Sequence, residues 1–483
     1  MNLTAQAVPA TFHYISSTNN GAKATYLEDH FYIDKTAPTD PRWRRSSSTK
    51  RRSGRRDLRS ALGDDAACRN FEAPYSSFRL FLLNRITVLV FFAMVDLMIK
   101  NQTWLLVTVF FGSLCRSTIV TYAAIWAVDE LSVTDTRLGV TFGTAGALAA
   151  VAGPVAGLCA DRVGGKPVMV AGWFLQPFVF IGLIFYPCLP KIYSLGLIVL
   201  STVLTSVCSI SSQAVVRETT KNTEYMEGFS RLRLFQNAGY LVGSPLGSLA
   251  VLSGWSDMFL TISVASILAL FTATRVKNTN KNNKLIINTE IKSIFNFNFF
   301  IFYAAGIFSM VSYSAFTTVL PAAMVSDMNF GPGHWTVLAT INSILVVSLQ
   351  VPFGKRFKRR DPVSILVFSA PLLGLPYASL VFGSSFFLIL AVVISNAFGE
   401  IGWGPASQTQ AIIMSPSRRE GLCLGVFSST LPIGLSLGPF IGFILKDNYG
   451  VSSARILFAA CGILSSCLLL LIRPNAIKKQ RAL

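Results

Sequence analysis

Charged residues and histidines are scarce in this chain. Of its 483 residues, 13% are charged and three are histidines, whereas 52% are hydrophobic. A soluble domain has nearer a quarter of its residues charged, so this chain has too few charges to cover a water-facing surface of its size. Its apolar runs reach the length of about 20 residues that a helix needs to cross a bilayer. The sequence therefore predicts an all-α membrane protein.

Residues that would support enzyme or redox chemistry inside a membrane are also missing. His13, His30 and His334 all lie outside the apolar runs, and no GxxxxGK[ST] phosphate loop is present for ATP-driven pumping. The eight cysteines show no CxxC spacing and mostly fall within apolar runs, which is typical of small core residues. We therefore expect no enzymatic activity, no metal and no cofactor.

Polar segments mark the ends and the middle of the chain. Residues 1–80 are polar and end in a basic run, which predicts a disordered cytoplasmic tail close to anionic lipid. In residues 81–102 the charge-free stretch is about half as long as a span, so we expect a helix lying at the membrane interface. Residues 274–296 are predicted to be a cytoplasmic linker, and residues 474–483 a cytoplasmic tail.

The rest of the chain consists of twelve apolar runs. Six fall in residues 103–273 and six in residues 297–473, which predicts twelve transmembrane helices in two pseudo-symmetric six-helix bundles. The loops on the N-terminal side and the C-terminal tail carry 22 Lys and Arg residues, against four in the loops on the other side. Positive charge is retained in cytoplasmic loops, so both termini are predicted to be cytoplasmic, in the cell membrane.

Glycine spacing indicates that the two halves repeat each other. Glycines recur every four residues around Pro245 in the fifth predicted helix and around Pro439 in the eleventh. Corresponding glycines are 195 positions apart, and they are Gly239, Gly243 and Gly247 in the first half and Gly434, Gly438 and Gly442 in the second. Glycines at this spacing let two helices approach closely, so the pattern predicts a duplicated unit with either a packing role alone or a transport role.

A short loop between the second and third predicted helices reads GLCADRVGGKP, residues 157–167. An aspartate in a glycine turn at a helix end can pair with cations and helix dipoles of a neighbouring bundle, so the loop predicts a conformational latch. The segment resembles the signature loop of the major facilitator superfamily, G-x-x-x-D-R-x-G-[RK]-[RK]. The matching residues are Gly157, Asp161, Arg162, Gly164 and Lys166, with Gly165 at a position that is commonly basic.

This resemblance covers roughly residues 103–473. It implies a secondary transporter that works by alternating access and is coupled to protons. Such a protein is expected to be a monomer that moves a small-molecule substrate across the membrane, with membrane lipid and no nucleic acid among its partners. The eleventh predicted helix is also similar to the glycine–proline motif of drug/proton antiporters, which implies efflux of amphipathic molecules. That motif belongs in helix five, where here Ser244 separates Gly243 from Pro245. Uptake by symport or facilitated diffusion is the alternative.

Charged residues within the spans are the candidates for the substrate and proton pathway, because a charge at the bilayer centre costs about 2.5–3.5 kcal/mol or more. With the fifth predicted helix starting at residue 234, only Arg116 in the first predicted helix and Glu400 in the tenth lie clearly inside the spans. Asn396 and Trp403 share a helical face with Glu400. Asn237 and Asn342 are further polar candidates. One hypothesis is that Glu400 alternates between a proton and a cationic substrate as Arg116 approaches; the other is an Arg116–Glu400 pair that serves assembly only.

Overall fold

The computed structural model describes residues 102–472, apart from residues 134, 278–295, 329, 331 and 417–418. Secondary structure in these described residues is helical. The expected N-terminal tail and interfacial helix, most of the linker and the C-terminal tail lie outside them.

The first half of the described chain contains six long helices. They are α1 (Thr103–Asp129), α2 (Asp135–Val163), α3 (Gly165–Ile184), α4 (Lys191–Thr219), α5 (Tyr225–Ser253) and α6 (Trp255–Arg275). Eleven helices of the described chain are long and apolar enough to cross a membrane. The twelfth long helix is α5, in which charged residues occupy the first turns.

The second half follows the same order with three irregularities. Its helices are α7 (Phe297–Ser314, continued by a π turn, Ala315–Val319, and a short helix, Leu320–Ser326), α8 (Pro332–Phe357), α9 (Pro362–Gly374, continued by a 3-10 turn, Leu375–Val381), α10 (Phe386–Ile413), α11 (Glu420–Ser428 and Thr430–Tyr449) and α12 (Val451–Leu470). The interruption in α11 falls at Ser429, and Pro439 lies inside the second segment.

The predicted repeat is present in the packing of the two halves. Gly239 and Gly243 of α5 lie against α1, and Gly434 and Gly438 of α11 lie against α7 in the same way. A Cβ atom on any of these glycines would come within 2.6 Å of a neighbouring atom, so only glycine allows these approaches. The two halves are therefore duplicated six-helix bundles, as the glycine spacing predicts.

The hydrophobic core that the two bundles share lies towards one side of the protein. One core cluster combines residues of both halves, such as Leu105 and Phe229 with Leu424 and Phe427. Two further clusters are each confined to one half, one around Trp126 and one in the second bundle. We call the side on which the 157–167 loop lies the latch side and the opposite side the open side. The bundles share a core on the latch side and have separate cores towards the open side.

Candidate functional site

The predicted latch loop places a carboxylate between the two bundles. Asp161, near the end of α2, accepts hydrogen bonds from the backbone N–H groups of Gly421 and Leu422, both at 2.8 Å, in the first turn of α11. Arg217 of α4 donates to Asp161 at 3.0 Å and to Glu420 at 2.9 Å. The Asp161 side chain is only 1% exposed. A buried carboxylate on the N-terminus of a helix is favoured by the unpaired N–H groups and by the helix dipole.

Other residues of the motif support this contact indirectly. Gly164 has φ of 94°, in the left-handed region that favours glycine, and it ends α2 so that α3 can start at Gly165. The N–H of Gly165 donates to Glu218 at 2.8 Å. Arg162 is exposed and Lys166 is half-buried, and within the described part of the chain neither forms an ion pair. The basic residues of the motif therefore lie outside the charge network around Asp161.

Glycines along α2 show how closely the bundles approach. A Cβ atom on Gly157 would lie 2.0 Å from the carbonyl oxygen of Gly421, and one on Gly153 would lie 3.1 Å from that of Gly425. Further along the helix, a Cβ atom on Gly143 would meet nothing within 4 Å. Helix α2 is thus in backbone contact with α11 at the latch side, and towards the open side the approach loosens to a side-chain contact, 3.5 Å from a Cβ atom on Gly146 to Oγ of Ser436.

A second contact between the bundles joins α5 to α8. A Cβ atom on Gly354 would lie 2.2 Å from the hydroxyl of Ser230. Glu227 of α5 forms an ion pair with Arg231 on the same helix, and its other oxygen lies 3.8 Å from Nζ of Lys358. The symmetric loop lacks the aspartate of the first motif, yet an acidic residue from α5 provides a charged contact at this position.

The middle of the protein contains a group of half-buried charged side chains and buried amide side chains around Glu400. Asn342 of α8 and Arg233 of α5 both lie close enough to Glu400 to stabilise its charged form. A Cβ atom on Gly404, one turn along α10, would lie 2.9 Å from Nε of Arg233. Glycine at this position therefore leaves room for the guanidinium beside α10. Three helices from both bundles meet at this carboxylate.

Arg116 belongs to the same region but does not pair with Glu400 within the described residues. Tyr313 of α7 lies within electrostatic range of Arg116, Arg233, Glu400 and Tyr240. The proposed Arg116–Glu400 pair is therefore replaced by an arrangement in which Arg233 is the charged neighbour of Glu400. Arg116 faces the same centre from α1.

Sequence reasoning missed Arg233 because it started the fifth helix at residue 234. The structure begins α5 at Tyr225, which places Arg233 more than two turns inside the helix. A hydropathy criterion excludes charged residues from a span, so it shortens any helix with a charged end that is buried in protein. The statement that Arg116 and Glu400 are the only charges inside the spans is wrong for this reason.

The remaining predicted pathway residues are buried to different degrees. Asn396 is fully buried, and neither atom of its amide group has a hydrogen-bond partner among the described residues. Trp403 is 4% exposed and packs in the core shared by both bundles. Its place on the substrate pathway stays a prediction. Asn237, one turn beyond Arg233 on α5, is half-buried, and its Nδ2 has no partner in the described part of the chain.

Comparisons with known proteins agree with this architecture. The family model described as Major Facilitator Superfamily matches residues 105–412 of this chain and, in a second match, residues 302–482. An uncharacterized MFS-type transporter of Bacillus subtilis, YttB, is 25% identical over 319 residues, which cover 63% of this chain and 78% of that protein. Another from Methanocaldococcus jannaschii, MJ1560, is 24% identical over 375 residues, which cover 73% of this chain and 93% of that protein.

Solved structures share the fold at lower identity. A bacterial homologue of the iron transporter ferroportin in an outward-facing state has a TM-score of 0.65 and 16% identity, covering 80% of this chain and all of that one. The Escherichia coli fucose:proton symporter has a TM-score of 0.62 and 14% identity, covering 78% and 99%. The human organic anion transporter MFSD10 has a TM-score of 0.61 and 12% identity, covering 76% and 98%.

Two six-helix bundles with a polar centre between them define the class of membrane transporters that carry small molecules. The family match spans well over half of the sequence. This chain belongs to the major facilitator superfamily.

Proposed function

We propose that this protein is a proton-coupled secondary transporter in which Glu400 binds and releases the coupling proton. The observation that carries the proposal is the position of Glu400 in the centre, where helices of both bundles meet. Burial in a low-dielectric environment favours the neutral form of a carboxyl group, and a nearby guanidinium favours the charged form. Movement of Arg233 relative to Glu400 as the bundles rock would therefore change how readily the carboxylate takes up a proton.

Alternating access follows from the asymmetry of the contacts between the bundles. The α2–α11 and α5–α8 contacts join the bundles at the latch side, while the hydrophobic cores towards the open side are separate, which supports a centre that opens to that side. Transport requires these latch-side contacts to break so that the centre opens on the other side. Asp161 and Glu227 stabilise the closed latch, and Glu400 links its opening to protonation.

The latch side is proposed to be cytoplasmic because the sequence assigns the larger number of loop and tail Lys and Arg residues to it, 21 against four once Arg233 is counted in the centre. Single cysteines at Arg359 and Lys221 should then be shielded in intact cells from an impermeant thiol reagent, whereas those at Ser132 and Asn448 should react. Labelling of the first pair but not the second would reverse the orientation.

Two directions of transport follow from the site. Export by proton antiport is favoured by the antiporter-like glycine–proline motif of α11, with amphipathic small molecules as substrates. Uptake by proton symport is a second candidate, favoured by Arg233, because a cation beside Glu400 disfavours a cationic substrate that would compete with the proton.

Flux into proteoliposomes tests the proposal. A fluorescent organic anion (fluorescein) and an organic cation (ethidium) would be followed under an imposed pH gradient, with internal pH recorded at the same time. Glu400→Gln should abolish accumulation driven by the gradient and retain downhill exchange. Asp257→Asn, which changes an exposed carboxylate at the start of α6, should behave like the wild type. Gradient-driven transport at the wild-type level in Glu400→Gln would refute the role of Glu400.

A further inference from the structure

Charge in the centre of the protein is unbalanced. Among the described residues, the charged side chains more than two helical turns from any helix end are Arg116, Arg233 and Glu400. Arginine remains protonated in proteins, so this group contains two permanent cations and one carboxylate. Its net charge is positive, and it becomes more positive when Glu400 is protonated.

All three charged side chains lie near the same tyrosine. Tyr313 lies within electrostatic range of each of them, and it occupies on α7 the position that Arg116 occupies on α1. This equivalence follows from the glycine contacts, since Gly243 lies against Ser117 and Gly438 lies against Ser314. The repeat therefore brings a tyrosine and an arginine to the same centre from opposite bundles.

Several polar atoms at this centre have no partner among the described residues. They include Nε of Arg233, Oδ1 of Asn342, Nδ2 of Asn237 and both polar atoms of the Asn396 amide. A buried polar group without a partner is destabilising, and an uncompensated charge is more so. The donors among these atoms (Nε of Arg233, Nδ2 of Asn237 and Nδ2 of Asn396) and the excess positive charge favour a ligand that accepts hydrogen bonds and carries negative charge, while the two amide oxygens can accept from a donor group on the same ligand.

We infer that the central site binds a small organic anion whose carboxylate, sulfonate or phosphate group contacts Arg116 and Arg233. Guanidinium groups bind such oxyanions through paired hydrogen bonds, which adds geometric selectivity. The cationic substrate expected from the sequence depends on Glu400 and Arg116 alone, and Arg233 reverses that balance.

The direction of coupling follows, and this step rests on the proposed role of Glu400. A carboxylate beside the guanidinium groups competes with an anionic substrate, and protonation removes that competition. Proton and anion then strengthen each other's binding, as reciprocity between two sites requires. This relation is that of a proton–anion symporter.

The charge of the site can be measured without knowing the natural substrate. Val120 lies one turn from Arg116 on α1, towards the open side, and is 69% exposed. Val120→Cys would be treated with two methanethiosulfonate reagents, the ethylsulfonate anion and the ethyltrimethylammonium cation. Mass spectrometry of the peptide that contains residue 120 gives each rate with the native cysteines retained. Each rate is divided by that of the same reagent with 2-mercaptoethanol.

The anionic reagent should be favoured by at least about threefold at low ionic strength. Arg116→Gln in the Val120→Cys background should bring the ratio towards one, and Arg233→Gln provides a second variant if Arg116→Gln does not fold. Arg137→Gln, which removes an exposed arginine near the open-side end of α2, should leave the ratio unchanged. Equal rates or a preference for the cationic reagent would overturn the inference.

Failure of this inference is distinguishable from failure of the proposed function. The labelling ratio reports the charge around Arg116 and does not depend on proton coupling. An anionic preference together with pH-driven transport in Glu400→Gln would keep the anion site and exclude Glu400 as the proton carrier. A cationic preference together with lost coupling in Glu400→Gln would exclude the anion site and keep Glu400 as the proton carrier.

Discussion

The α2–α11 contact and the α5–α8 contact occupy equivalent places in the two halves but use opposite charges. Gly157 and Gly354 are 197 positions apart, and the residues they approach, Gly421 and Met226, are 195 apart. At the same offset as the glycines, the counterpart of Asp161 is Lys358. The repeat thus preserved the backbone approach while the sign of the charge on α2 and α8 changed.

In spite of this inversion, the first bundle contributes a carboxylate to both contacts. In the first contact the carboxylate of Asp161, from the first half, meets the N-terminus of α11. In the second contact the carboxylate of Glu227, also from the first half, meets Lys358 of the second half. In both contacts a carboxylate of the first bundle thus meets a positive group of the second bundle, whereas the Arg217–Glu420 pair of the first contact has the opposite sign.

The two contacts should differ in strength. Asp161 is almost completely buried and is held by two backbone N–H groups and Arg217, all within 3.0 Å. Lys358 is 37% exposed, and the distance from its Nζ to Glu227 is 3.8 Å. Exposed ion pairs contribute about 0–1 kcal/mol, whereas hydrogen bonds to buried charged groups contribute about 1.5–3 kcal/mol.

The largest effect is expected from a methyl group at the closest approach. Gly157→Ala puts a Cβ atom 2.0 Å from the Gly421 carbonyl oxygen, so α2 and α11 must separate. The population with a closed latch should fall at least about tenfold, or ~1.4 kcal/mol. Distances between spin labels at Lys221 and Arg359, with the exposed native cysteines replaced, would report it. Gly139→Ala, where a Cβ atom meets nothing within 4 Å, should leave the distances unchanged.

Loss of the Asp161 charge should have the next largest effect. Asp161→Asn preserves the shape of the side chain but replaces one acceptor oxygen with an NH2 group, so only one of the N–H groups of Gly421 and Leu422 keeps an acceptor, and that acceptor is uncharged. We expect the amides at the start of α11 to exchange with deuterium about tenfold faster, as the loss of about 1.5 kcal/mol implies. Arg162→Gln, at the exposed neighbouring position, is the control. Unchanged exchange in Asp161→Asn would show that glycine packing alone holds this contact.

The smallest effect is expected at Lys358. Lys358→Met removes a partly exposed charge and should reduce the closed-latch population by at most about fivefold, or ~1 kcal/mol, and less at high salt. The spin-label pair at Lys221 and Arg359 gives the measurement, and Lys358→Arg keeps the charge as a control. A loss larger than that of Asp161→Asn would reverse the ranking of the two contacts.

Most of the architecture could be predicted from the sequence, but only some of the residues of the central site could. Apolar length and glycine spacing predict the twelve helices and their repeat because a span and a close approach each need particular residues in order. The Asp161 latch was predictable because its residues are local in the chain. The counterpart at Glu227 and Lys358 was not, since the charges are inverted and lie in separate helices.

Arg233 shows most clearly which kind of residue hydropathy fails to place inside a helix. Hydropathy treats every helix as if it faced lipid, so it started the fifth span only after the charged residues that are sheltered by α8 and α10. The same criterion cannot distinguish Glu400, which has a charged neighbour, from a carboxylate that has none. Only the packing of α5 against α10 at Gly404 reveals that the centre holds two arginines.

The coupling of Glu400 to the motion of the bundles is the central claim, and spin-label distances across the open side test it most directly. Labels at Ser132 and Asn448, one in each bundle, would be measured in acidic and in alkaline buffer, without any substrate. The wild type and Asp257→Asn should change their distance distribution between the two buffers, and Glu400→Gln should give one distribution in both. A full pH response in Glu400→Gln would contradict the account.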